Sequence, residues 1–148
     1  MKTLFYILMA LTAGGMVAIQ GTINSGLSKR LNHPMQASLI SFAGAVPLII
    51  LILFILHPKL PEWSQLRDVS PIYYTGGAYG VIFVTTILFL APKIGIANTL
   101  VATIVGQLIF SVVLDHIGFL DLVVKPINIY RAAGCVGLLL SLYLIQKS

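Results

Sequence analysis

The sequence predicts an all-α membrane protein of five transmembrane helices forming a single domain over residues 1–148, and three observations carry that prediction. Hydrophobic residues make up 58% of the chain against 9% charged, with a mean hydropathy of +1.00, far too little charge to cover a water-soluble surface. The charged residues fall into six clusters: Lys2; Lys29 and Arg30; Lys59, Glu62, Arg67 and Asp68; Lys93; Asp115, Asp121, Lys125 and Arg131; and Lys147. The first four uncharged stretches between them match the roughly 17–25 apolar residues that a spanning helix needs.

The first span is placed at residues 4–27. Its apolar run is too long for the core of a secretory signal, lacks a clear A-x-A site and ends in Lys29-Arg30. The second, 36–56, contains Pro47, which kinks it or leaves a carbonyl one turn earlier without a donor. A water-facing connection, "HPKLPEWSQLRDVSP", follows; Trp63 is an interface anchor, and Ser70-Pro71 supplies an N-cap and first helical position. A single helix from 69 to 114 would be about twice the bilayer thickness. The chain must therefore turn at "APKIG", where Pro92 and Gly95 break it into a third span, 71–92, and a fourth, 95–117. Residues 116–127 read as a surface-hugging segment. Only 15 uncharged residues lie between Arg131 and Lys147, so the fifth span is placed at 128–146, with Arg131 snorkelling to the headgroups.

Composition also narrows the function. The single cysteine, Cys135, offers neither a disulfide framework nor a C-x-x-C metal or redox site, and no cofactor is expected. The basic pI of about 9.6 fits lysines and arginines meeting anionic lipid at membrane edges better than nucleic acid. His33, His57 and His116 fall at span ends, and no helix face gathers the groups of an enzyme active site. With five spans the termini lie on opposite faces. Lys2, Lys59, Arg67, Lys125 and Arg131 then oppose Lys29, Arg30, Lys93 and Lys147, a difference of one that gives little basis for a fixed orientation.

The polar side chains inside the spans are the candidate functional residues. "AIQGTINSGLSKR" sets Gln20 and Asn24 one turn apart on a shared face. Gly14, Ala18, Thr22 and Gly26 form a separate small-residue row that lets another backbone approach. In the fourth span Thr99, Thr103, Gln107, Ser111 and Asp115 follow at four-residue steps, a ridge that drifts about 40° per step. Gln107 lies near mid-span, with Ala102 and Gly106 keeping its face low. An interhelical hydrogen bond in a membrane averages only about 0.6 kcal/mol, so two readings stand for each glutamine: interhelical bonding, or lining a polar path. Threonine hydroxyls can bond back to their own helix. The third span places Thr75, Tyr79 and Thr86 roughly on one side, with Gly76, Gly77 and Gly80 allowing close approach. Tyr79 is a candidate substrate contact or a tyrosine satisfied by a neighbouring helix, and Tyr73 and Tyr74 are interface anchors. No charge falls at the centre of a span, which removes the usual proton-relay signature. Asp115, in a last turn whose dipole it opposes by about 0.3–1 kcal/mol, calls for a cation, Arg67 or Lys2, in a gating, coupling or structural role.

Together, "IQGTINSGL", "ASLISFAGA", "APKIGIANTL" and above all "GQLIFSVVLDHIGFL" resemble the half-size, five-helix, YdcZ-like bacterial inner-membrane proteins of the drug/metabolite transporter superfamily. The resemblance covers nearly the whole chain, and Gly106-Gln107 followed by Asp115-His116-x-Gly118 is its most specific part. It implies one inverted-repeat half of a ten-helix transporter, working as an antiparallel homodimer or with a paired five-helix homologue. Gln20, Asn24, Gln107 and Asp115 match the family's polar positions; tyrosines replace the tryptophans common in the third span. The first span lacks the membrane glutamate of the superfamily's small multidrug exporters, so proton-driven cation export by that mechanism is not expected. The expected function is export of a small neutral, zwitterionic or amphiphilic metabolite by alternating access, through a cavity between the first, third and fourth spans of both copies. The alternatives are translocation of a lipid-linked substrate and an accessory subunit without transport of its own.

Overall fold

A computed structural model describes residues 2–147, and its regular elements are all helical: α1 (Lys2–Leu31), α2 (Pro34–Leu56), α3 (Trp63–Asp68), α4 (Gly76–Ile94), α5 (Ile96–Ile117) and α6 (Ile129–Gln146). All but the short α3 are long and apolar enough to cross a membrane, α4 together with the 3-10 turn Pro71–Thr75 that leads into it. The chain is an all-α, five-span membrane protein.

The breaks follow from backbone chemistry. After α1, Asn32 takes a left-handed conformation (φ 57°) and Pro34, at the first position of α2, cannot continue the preceding helix. Pro47 sits inside α2 without ending it, so the Ala43 carbonyl loses its helical N–H donor. The connection after α2 contains α3, held by a capping box. The Glu62 backbone N–H donates to Gln65 Oε1 (3.0 Å), and the Glu62 side chain accepts in return from the third helical position. The Tyr74 hydroxyl, placed by sequence at the lipid interface, donates to the Leu66 carbonyl (2.7 Å) and ties α3 to the following turn. The third span does not stop at Pro92. It runs through that proline to Ile94, and Gly95 (φ 84°) makes the turn alone, because only glycine takes that conformation without penalty.

The chain divides after Pro92 into two units. In the first, α1 packs on α2 across a two-residue connection, so the two helices run antiparallel. The buried positions of α1 are Gly21, Asn24 and Ser28, one row at helical spacing. They are matched by Ala37 and Ser38 on α2 and by Ile87, Leu88 and Ala91 on α4. In the second unit α5 packs on α6, and Thr99 and Val105 are buried. No more than 17% of the apolar stretch of any span is buried. Most of the helical surface is therefore left for lipid or for another chain.

Candidate functional site

In the first unit, two hydrogen bonds fix the helices around α2. Asn24 Nδ2 on α1 donates to Ser41 Oγ (2.9 Å), and the hydroxyls of Ser38 and Thr85 share a bond of 2.9 Å between α2 and α4. Ser38 and Ser41, three residues apart, lie on one face of α2 and serve one neighbour each. Sequence reasoning missed these serines, although "SLIS" already showed hydroxyls at helical spacing. It also favoured Thr86, which is exposed, over Thr85, which makes the bond. Asn24, only 6% exposed, is held between α1 and α2 by its bond to Ser41.

The face of α1 that packs within the chain is the Gly21–Asn24–Ser28 row, because a bond between buried polar groups in low dielectric fixes which side α2 meets. On the small-residue row, Gly14 and Gly26 face open space. Ala18 is half-buried, and the Thr22 hydroxyl bonds back to the Ala18 carbonyl (3.0 Å). Gly80 packs on the Phe42 ring, which lies 3.6 Å from where a β-carbon would stand; Gly76 and Gly106 face open space.

Gln20 lies one turn from Asn24 and about 15 Å along the helix from Arg30, close to half the thickness of a hydrocarbon core of about 30 Å. Its carboxamide is exposed and bonds to no other described residue. It lines a crevice with Val17, Gly21 and Asn24 of α1 and Ile87 and Leu88 of α4. The space inside is about 10 Å³, room for about one water molecule, whereas small-molecule sites enclose about 300–1,000 Å³. Tyr79, 71% exposed, makes no hydrogen bond among the described residues, and the Thr75 hydroxyl is taken by the Ile72 carbonyl (2.7 Å).

In the second unit, the polar ridge of α5 drifts through different surroundings. Thr99 is fully buried and its hydroxyl donates to the Gly95 carbonyl (2.8 Å). That of half-buried Thr103 donates to the Leu100 carbonyl (2.8 Å), so both threonines are satisfied by their own chain segment. Gln107, one turn further, is exposed and bonds to no described residue. Asp115 pairs with Arg131 Nη2 at 3.1 Å, a partner that sequence reasoning did not name. The reason is the α5–α6 hairpin, which brings the last turn of one helix beside the first turn of the next. There a carboxylate and a guanidinium, each set against its own helix dipole, neutralise one another. Arg131 therefore does not simply snorkel to the headgroups.

The same corner holds residues 118–128 as a strap. The Lys125 N–H donates to the Asp115 carbonyl (2.9 Å), Arg131 Nη1 to the Lys125 carbonyl (3.1 Å), and the Ile127 N–H to His116 Nδ1 (3.3 Å). Asn128 caps α6 by accepting from the Arg131 N–H (2.9 Å). Asp115 and His116, a carboxylate beside an imidazole, are thus both engaged in holding the strap, and no group of three His, Cys, Asp or Glu side chains forms among the described residues.

With this geometry in view, the family described as "Putative inner membrane exporter, YdcZ" matches residues 5–144, nearly the whole chain. The chain belongs to that family. It is an integral, multi-pass inner-membrane protein of an exporter family, and membership makes transport the frame in which its polar groups are read. No curated protein and no solved structure matches the chain.

Proposed function

We propose that the chain is half of a secondary carrier, completed by an inverted second copy or a paired five-helix homologue, that exports a small neutral or zwitterionic metabolite by alternating access. The observation that carries this reading is Gln20: a carboxamide at mid-membrane depth, unbonded, beside a crevice too small for any metabolite. An amide in hydrocarbon must find a partner or stay costly. A second chain set against this face would both enclose the crevice and enlarge it. The open small-residue row of α1 suits close backbone approach by such a partner. The near-even distribution of basic residues suits insertion in both orientations.

Carboxamides donate and accept hydrogen bonds without fixing a charge, which matches a neutral or zwitterionic solute. The two copies would rock about a two-fold axis in the membrane plane, exposing Gln20 and Gln107 to alternate sides. The test is efflux from vesicles containing only the purified protein and loaded with a defined mixture of neutral and zwitterionic amino acids, read by mass spectrometry. Selective loss of one class of solute, abolished by Gln20→Leu or Gln107→Leu in protein that still folds, is the expected result. Efflux indifferent to both substitutions would remove these amides from the path.

A further inference from the structure

α2 buries only Ala37 and Ser38, yet its exposed surface is not uniform. From His33 to Phe42 one side of the helix, with Val81 of α4, forms an open groove of about 350 Å³, the size of a small-molecule site. It shares no lining residue with the Gln20 crevice. The groove changes character along its length: His33 and Gln36 stand at the end by the α1–α2 turn, and Leu39, Phe42 and Val81 lie deeper. The rise from His33 to Phe42 is about 14 Å, close to the depth of one leaflet of a hydrocarbon core of about 30 Å. Ser38 borders the groove, but its hydroxyl is engaged by Thr85, and Phe42 is seated against Gly80. The deeper part is a fixed, apolar wall.

The polar end adjoins positive charge. Lys29 and Arg30 close the last turn of α1, four and three residues before His33, and no acidic residue precedes Glu62 in the sequence. A groove one leaflet deep and apolar inside, with two cations on the helix end next to its polar end, complements a molecule with a hydrocarbon chain and a negative head. We propose that it binds an anionic phospholipid of the surrounding membrane, with an acyl chain along Leu39, Phe42 and Val81 and the phosphate at Lys29, Arg30 and His33. This site is independent of the transport reading, since it requires neither a second copy nor a substrate.

Native mass spectrometry of the purified full chain tests it, with phosphatidylglycerol and phosphatidylcholine of identical acyl chains as probes. Wild-type protein should retain phosphatidylglycerol preferentially. Lys29→Gln and Arg30→Gln should each reduce that preference by about fivefold, the weight of one cation near an anionic headgroup. Leu39→Trp, which fills the groove from an exposed position, should lower retention of both lipids, whereas Leu48→Trp, further along the exposed side of α2, should change neither. Equal retention of the two lipids by wild-type protein, or equal behaviour of the two tryptophan variants, would overturn the proposal. So would Leu39→Trp altering the oligomeric state with lipid retention unchanged, because the groove would then face a second copy.

Discussion

Asn24 and Gln20 carry the same functional group one turn apart and have different fates. Asn24 is bonded because Ser41 stands opposite it; Gln20 faces only a crevice. The four-residue spacing was legible in the sequence, but the fates were not, since they depend on which residue of another helix arrives opposite. A double-mutant cycle on Asn24→Ala and Ser41→Ala, followed by unfolding in detergent, should give a coupling of about 0.6 kcal/mol and no more than about 1.7. Gln20→Leu should leave that unfolding unchanged or slightly improved, because no bond within the chain is lost and an amide is removed from hydrocarbon. Loss of transport with stability intact is the signature of a residue held for its chemistry. A Gln20→Leu variant as destabilised as Asn24→Ala would make it structural instead.

Among the elements, the spans were readable because charge clusters and uncharged lengths report the membrane directly. Their ends were less so. The pattern "APKIG" invited Pro92 and Gly95 together as the break, but a proline near a helix end removes one hydrogen bond, whereas Gly95 at φ 84° redirects the chain. The strap was recognised only as surface-hugging, because its order comes from Asp115, His116 and Arg131, groups supplied by two helices. Two tests follow. Gly118 has φ 63°, and a β-carbon there would lie 2.7 Å from Val124 Cγ2. Gly118→Ala should cost about 1–2 kcal/mol from the left-handed backbone alone, plus the clash; adding Val124→Ala should recover the clash but not the backbone cost in a thermal melt. Arg131→Gln should have little effect on global stability, since the pair is about a third exposed. It should nonetheless speed hydrogen exchange at the Lys125 and Ile127 amides; unchanged exchange there would mean that the ion pair does not hold the strap.

For the whole molecule, the physics is that of an unfinished interior. Buried positions are few, the bonded polar groups are spent on helix pairing, and the two amides at mid-depth have no partner among the described residues. Hydropathy revealed the membrane and motif likeness the family; neither could reveal that the crevice beside Gln20 holds about one water, because that volume depends on how α1 and α4 approach. If an inverted partner completes the site, orientation is the property on which everything else rests. It can be read by membrane-impermeant labelling of Lys2→Cys and, separately, Lys147→Cys in a Cys135→Ser background in native membranes. With no other five-helix homologue expressed, pairing with itself predicts that each terminus is labelled from both sides. A single uniform orientation, in cells where the protein alone sustains efflux, would contradict it.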